Sequence, residues 1–334
     1  MKKNNVTIAD VAALAGVSKM TVSKVLRDTG SISKDTRDKI HKAVDELGYV
    51  KNSLAGLLSS QKSSMIGIII PSASDTIFAE VLSGTNSVIR PKGFNTLIGE
   101  SLFDPQIEYE ALSTMLSLQP AGLIISGGID RSEETLALIA KRRCPLISLW
   151  DGEDAVGDLT IGLSHYEAGE TMARHFIECD FRKVAYVGSE LDLDLCARQR
   201  FQGFRDTMQD ASRELRVETS IDGSRQSLTG RQLTESLIRK HPDTDAIYYL
   251  NDAMATGGMS WLYEAGINIP EQVAAAGFNG TSIGQAVRTR LTTLNVSRRA
   301  IGEAAASAIL KFIEGDTEID KHQVEVTFVQ GNTT

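Results

Sequence analysis

The chain has 334 residues, 42% of them hydrophobic and 23% charged, with a formal net charge of −8. That length suits two or three domains with a sizeable core, which needs no metal or disulfide to hold it. The opening "MKKNNVTIAD" lacks the apolar run of a secretory signal and no stretch approaches about 18 consecutive apolar residues, so the expected location is the cytoplasm, with no membrane contact. Three cysteines, Cys144, Cys179 and Cys196, are odd in number and lack CxxC spacing, which predicts buried thiols in a reducing compartment.

The charge is divided unevenly. Residues 1–60 hold ten Lys/Arg against six Asp/Glu, whereas the remainder holds 25 against 37. A basic end on an acidic body is the asymmetry expected when one small module meets a polyanion.

The first module reads as helical. Thr7 can cap a helix whose first turn carries Asp10 and whose apolar face is Ile8, Val11, Ala12 and Ala15. Gly16 ends it, Ser18 can cap the next helix, "KMTVSKVL", and Val22, Val25 and Leu26 can face inward. A third helix starts after Ser33, lines its buried side with Ile40, Val44 and Leu47, and stops at Gly48. Two short helices around a glycine turn, packed on a third, form the helix-turn-helix pattern. Such a helix fits the major groove of double-stranded DNA, and its free side chains suit that task. Thr7, Ser18, Thr21 and Ser23 offer hydroxyls to phosphates, Lys19 and Lys24 offer charge, and Met20 offers an apolar contact for a thymine methyl.

Residues 52–64, "NSLAGLLSSQKSS", pass from a short apolar patch into an aperiodic polar run and read as a linker. From Met65 onward, apolar runs ("MIGIIIP", "FNTLIG", "AGLIISG", "CPLISLW", "KVAYVG", "DAIYYLN", "VAAAGF") alternate with amphipathic helical segments. Continuous apolar strands between such helices indicate parallel sheets covered on both faces, and about 270 residues exceed one domain. No GxGxxG after a strand, P-loop or GxSxG occurs, and the five histidines (41, 165, 175, 241 and 322) lack metal-ligand spacing. Neither an enzyme, a cofactor nor a metal is expected.

The run "TIADVAALAGVSKMTVSKVLRDTGSISKDTRDKIHKAVDELGYVKN" closely resembles the headpiece of the lactose-repressor (LacI-type) family of bacterial transcription regulators. The segments "IIPSASDTIFAEVLSG", "GLIISGG", "RQRFQGF", "YYLNDAMATG", "AAAGFNG" and "RLTTLN" extend the resemblance through the body in family order. It implies an α/β fold: a helix-turn-helix headpiece (1–51), a hinge helix and linker (52–64), and a body of periplasmic-binding-protein type (65–334). The body would have two doubly wound lobes, the first about 65–162 and 293–322, the second about 163–292 and 323–334, joined by three crossings with a ligand cleft between them. The function implied is a DNA-binding regulator, in all expectation a repressor, that meets a pseudo-palindromic operator as a homodimer. A solute-binding protein with the same body is the alternative, but it would carry a signal peptide in place of the DNA-reading module.

By the same resemblance Lys19, Met20 and Lys24 read bases, the hinge would place Ala55 and Leu58 at the minor groove, with Leu58 as a wedge, and Asn52 is a further DNA-binding residue. A hinge this short, weakened by Gly56, is expected to fold only on DNA. Relatives usually carry arginine at Lys24 and proline at Lys51; lysine gives up the bidentate fork and the ring. The implied cleft residues are Asp75, Ile77, Phe78, Ser126, Trp150, Arg200, Asn251 and Asn279. Asn251 and Asp252 could instead cap the helix that begins there, Asp252 above all. Many relatives have aspartate at Trp150 and Asn279. Without those carboxylates Arg200 is free to take an anionic group, which points to a gluconate-like sugar acid as effector. "SKMTVS", "IFAEVLSG" and "GFNGTSIGQ" likewise resemble the gluconate- and idonate-responsive repressors of the family. The C-terminus "VEVTFVQGNTT" has no leucine-heptad tail, which favours a dimer over a tetramer.

Overall fold

A computed structural model describes residues 6–26, 28–50, 63–152, 156–220, 224–286, 289–316 and 322–334. The chain forms two compact units, Met1–Lys62 and Ser63–Thr334.

In the first unit, α1 (Ile8–Ala15), α2 (Lys19–Leu26) and α3 (Lys34–Leu47) pack around Val11, Ala12, Val22, Val25, Ile40 and Ala43. Val44 and Leu47, expected in that core, are half-buried against it. Gly16 closes α1 at φ 65, a left-handed conformation in which a side chain would be strained, so the turn into α2 depends on it. The Asp10 carboxylate accepts from both the Thr7 N–H (2.8 Å) and the Thr7 hydroxyl (2.7 Å), which holds it below the usual carboxylate range.

The second unit holds two six-stranded sheets. The first runs β2–β1–β3–β4–β5–β11, built from β1 (Met65–Ile70), β2 (Asn95–Glu100), β3 (Gly122–Ser126), β4 (Leu146–Asp151), β5 (Leu159–Leu163) and β11 (His322–Gln323). The second runs β7–β6–β8–β9–β10–β12, built from β6 (Lys183–Ser189), β7 (Glu214–Ser220), β8 (Ala246–Tyr249), β9 (Ala274–Asn279), β10 (Thr292–Val296) and β12 (Val326–Val329). Every pairing is parallel except β10 with β12. β3, β4, β8 and β9 are buried along their whole length, because helices cover both faces of the sheet. The edge strands β2 and β7 keep alternating exposure.

The covering helices are α4 (Thr76–Ile89), α5 (Pro105–Ser117), α6 (Glu133–Ala140) and α12 (Arg298–Glu314) in the first lobe. The second lobe has α7 (His165–Glu178), α8 (Leu195–Asp210), α9 (Ser227–Lys240), α10 (Asp252–Glu264) and the short α11 (Ser282–Gln285). α4 packs on α12, α7 on α8 and α9 on α10.

The chain crosses between lobes three times: after β5, after β10, and between β11 and β12. A return to the first lobe near residue 293 was expected, but β10 lies beside β9 in the second sheet, so the return falls after Val296. β10 escapes a polarity-based reading because its Thr292 and Thr293, though polar, are fully buried. Of the cysteines, Cys196 is buried, Cys144 half-buried and Cys179 exposed at the end of α7, which corrects the expectation of three buried thiols.

Among the described residues no helix is long and apolar enough to cross a membrane, and no cluster of His, Cys, Asp and Glu could hold a metal ion.

Candidate functional site

The headpiece presents α2. Lys19, Met20 and Lys24 are exposed, Met20 at 68%, while Thr21 and Ser23 are half-buried. Val22 and Val25 turn inward as expected, and Leu26 is only half-buried. Ser18 Oγ accepts from the Thr21 N–H at 3.1 Å and lies 2.9 Å from the Thr21 hydroxyl, so these two side chains also start the helix. Thr7 is exposed ahead of α1. The outer face of α2 thus offers an apolar methionine flanked by two lysines, the mix of contacts a major groove can take. Lys51, Asn52, Ala55 and Leu58 lie outside the described residues.

In the body, all eight predicted cleft residues line one cavity of about 460 Å³ of empty space, part of it open to solvent. Asp75, Ile77 and Phe78 come from the start of α4, Ser126 and Trp150 from the ends of β3 and β4, Arg200 from α8, Asn251 from the end of β8, and Asn279 from the end of β9. The C-terminal ends of parallel strands converge here, as doubly wound sheets require.

Several of these residues also hold the scaffold. Asp75 caps α4 by accepting from the Ile77 N–H at 3.0 Å; burial pushes its carboxyl up, against the opposing pull of that N–H, Arg225 and Arg298. Asn251, not Asp252, caps α10, accepting from the Met254 N–H at 2.8 Å. Asp252 sits beneath the cleft floor. Its carboxylate takes the Thr281 N–H (2.5 Å) and the hydroxyls of Thr281 (2.9 Å) and Thr293 (2.7 Å), and burial lifts its pKa to about 6. Sequence reasoning favoured Asp252 as the cap because it could not see that Thr281 and Thr293 fold onto it.

Trp150 (φ 77) and Asn279 (φ 106) adopt backbone conformations that side chains disfavour, and both face the cavity. Strain of this kind persists only where the surrounding structure imposes it, typically at binding sites.

The cavity also recruits residues that sequence reasoning missed: Phe103, Asp194, Arg225 and Phe278. Asp194 caps α8 through the Ala197 N–H (3.0 Å) and pairs with Arg225 at 2.5 Å; Arg225 also pairs with Glu190 at 3.0 Å and covers the Phe103 ring at 4.0 Å. Burial opposes the charge on both partners, yet their attraction wins: the Asp194 carboxyl is held low and the Arg225 guanidinium is raised. Arg200 lies over Phe278 at 3.8 Å and donates to the Leu250 carbonyl (3.0 Å) and to His165 Nδ1 (3.1 Å). Phe278 adjoins Asn279 and precedes it on the same strand, the one signal that could have drawn it in; nothing local marks Asp194 or Arg225.

Among the described residues, three buried side-chain atoms of cavity-lining residues make no hydrogen bond of good geometry, Arg200 Nε, Arg225 Nη2 and Asn279 Oδ1, although the Tyr248 hydroxyl lies within reach of the Arg200 guanidinium. Two donors and an acceptor, buried and unmet, form a site complementary to a polar ligand.

Comparison with known proteins agrees with this anatomy. Residues 7–52 match the model of bacterial regulatory proteins of the lacI family, and residues 173–334 match a periplasmic binding protein-like domain. The chain is 33% identical to the HTH-type transcriptional regulator GntR of Escherichia coli (strain K12), over 96% of each chain. It is 30% identical to the regulator IdnR of the same strain, over 95% of this chain and 94% of that one. The crystal structure of a LacI-family transcriptional regulator from Silicibacter pomeroyi is 36% identical, covers 98% of this chain and 99% of its own, and superimposes with a TM-score of 0.91. With a DNA-reading headpiece, two doubly wound lobes and relatives matched nearly end to end, the chain belongs to the lacI family of bacterial regulatory proteins: it is a DNA-binding transcriptional regulator and not an enzyme.

Proposed function

We propose that the protein is a cytoplasmic repressor that acts as a homodimer on a pseudo-palindromic operator and is controlled by a gluconate-like sugar acid bound between its lobes. Each headpiece reads one half-site through Lys19, Met20 and Lys24, with Thr7, Ser18, Thr21 and Ser23 toward the phosphates. Ala55 and Leu58 of the two hinges meet the minor groove at the centre, with Asn52 as a further DNA-binding residue. The effector occupies the cavity lined by Asp75, Ile77, Phe78, Ser126, Trp150, Arg200, Asn251 and Asn279. Ligand-dependent adjustment of the lobes alters operator affinity, and a coupling of about 1–3 kcal/mol corresponds to roughly 5- to 150-fold.

One observation carries the choice of an acid. Arg200 is buried in the cavity, has an unmet Nε–H, and among the described residues hydrogen-bonds no carboxylate. A neutral sugar would leave that guanidinium with only the through-space charge of Asp194 against it, whereas a ligand carboxylate supplies charge-assisted hydrogen bonds. The charge of the second arginine is already balanced by Asp194 and Glu190, although its Nη2 makes no hydrogen bond among the described residues, so the balance favours a monoacid over a diacid. The polyol end of such a ligand suits Asn251, Asn279 and the aspartates.

Calorimetry with gluconate, related sugar acids and neutral sugars tests the effector, and salt-dependent binding to palindromic genomic sites against random DNA tests the regulator. Binding of neutral sugars alone defeats the sugar-acid reading, and absence of any site preference defeats the operator reading.

A further inference from the structure

His165, the first residue of α7, takes no part in the cavity lining, yet it is 1% exposed and lies between two residues that do. Its Nε2 is 3.2 Å from the Trp150 carbonyl oxygen and its Nδ1 is 3.1 Å from Arg200 Nη1. A carbonyl only accepts and a guanidinium only donates, so a single tautomer satisfies both contacts, with the proton on Nε2 and the Nδ1 lone pair toward Arg200. A second proton would meet an N–H of Arg200. Burial and then the Arg200 charge push the imidazole pKa down to about 3.

Arg200 is thus oriented by neutral groups: His165 Nδ1, the Leu250 carbonyl, the face of Phe278 and the nearby Tyr248 hydroxyl. Asp194, whose charge reaches both Arg200 and His165, is committed to Arg225 at 2.5 Å. The rings continue the arrangement across the lobes, with Phe78 to Trp150 at 5.9 Å, Trp150 to His165 at 6.1 Å and His165 to Phe278 at 6.0 Å. His165 therefore stands where a carboxylate would have cancelled the arginine.

We propose that His165 is the positioning residue that sets the charge selectivity of the cleft, presenting a neutral acceptor that aims Arg200 while leaving its charge for the ligand. The proposal rests on the sugar-acid reading above. It assigns selectivity to a residue outside the cavity wall, acting through Arg200.

Calorimetry of the full-length protein with D-gluconate and with D-glucitol, its counterpart carrying CH₂OH for the carboxylate, tests it. The wild type is expected to prefer gluconate. His165→Asp pairs with Arg200 and should lower gluconate affinity at least about tenfold while glucitol binding holds or rises. His165→Leu, which removes the acceptor without adding charge, should lower the gluconate-to-glucitol ratio. His165→Asn, able to accept from Arg200 and donate to Trp150, should restore that ratio to within about threefold of wild type. A wild type that prefers glucitol or binds neither probe takes down the sugar-acid reading and the proposal with it. A wild type that prefers gluconate, with variants that keep its ratio or weaken both ligands alike, overturns the role of His165 alone. Should the variants fail to fold, ¹⁵N NMR of histidine-labelled wild type at pH 7 decides: a neutral Nε2–H tautomer at His165 is expected, and a proton on Nδ1 refutes the proposal.

Discussion

Gly169 on α7 meets the backbone of α8 where that helix carries Arg200. A Cβ built on Gly169 would lie 2.0 Å from the Arg200 carbonyl oxygen and 2.7 Å from the Phe204 nitrogen. Ordinary contact begins near 3.4 Å, so Gly169→Ala requires the two helices to separate by about 1.4 Å. The obstacle is backbone on a buried helix, which cannot swing aside as a flexible side chain would. Overpacking of this kind costs about 1–3 kcal/mol, and the depth of the overlap argues for the upper end. Alanine returns about 1 kcal/mol of helix propensity, leaving a net loss of roughly 2 kcal/mol. For a body of this size that lowers the melting temperature by about 4–8 °C. The shift should also displace Arg200 and weaken acid binding more than tenfold, since charge-assisted contacts lose strength steeply with geometry. Urea unfolding at unchanged m-value, paired with gluconate calorimetry, measures both effects. A variant as stable as wild type, with undiminished gluconate affinity, would refute this account of the helix contact.

Three further outcomes are expected. Asp252 titrates near pH 6 in the folded chain against 3.8 for an ordinary aspartate, so between those values the folded state holds a proton that the unfolded state releases. Its contribution is therefore greatest below about pH 4 and is lost as pH rises through 6, by roughly 3 kcal/mol in all. The stability difference between wild type and Asp252→Asn should change across that window and be flat above about pH 7; a difference constant from pH 4 to 8 contradicts the assignment. Arg298 joins the lobes, pairing with Glu80 at 3.1 Å and donating to the carbonyls of Asn279, Val296 (3.0 Å) and Gly280 (3.4 Å). Arg298→Met should cost about 3 kcal/mol by orphaning those carbonyls, and Arg298→Lys should recover only part of it, because an ammonium lacks the planar fork; denaturant midpoints of the two variants supply the check. On DNA, Lys19→Ala should flatten the slope of log affinity against log salt by about one if Lys19 neutralises one phosphate, and an unchanged slope would remove it from the backbone contacts.

The headpiece was legible because its signals are local. Gly16, Ser18, Ser33 and Gly48 mark helix ends within a few residues of the turns they shape, and Val11, Ala12, Val22, Val25 and Ile40 repeat at helical spacing. Of the seven apolar runs of the body, the inner strands were legible for the same reason, since a strand covered on both faces must be apolar along its length, whereas "FNTLIG" became the half-exposed edge strand β2. β7 was not legible. "ELRVETS" alternates charge with apolar residues as a half-exposed edge strand does, but it is short of apolar residues and its Val217 is exposed, so it did not stand out as an apolar run. β12, another edge strand, and the two-residue β11 were hidden likewise.

The eight cleft residues were named from motifs rather than physics, and they converge because strand ends converge. The charges between them could not be named at all. Arg225 and Asp194 are 31 residues apart, Arg200 and His165 are 35 apart, and Arg298 reaches Glu80 across 218. In the sequence His165 was one of five scattered histidines, and Asn251 and Asp252 competed for one cap. By itself, then, the sequence determined what short-range spacing controls: helix ends, buried strands, a basic reading helix and the doubly wound lobes. Only the tertiary structure decided which carboxylate each arginine meets and which buried groups face His165 and Arg200. Those depend on distances between segments, which the order of residues along the chain does not specify until the sheets have closed.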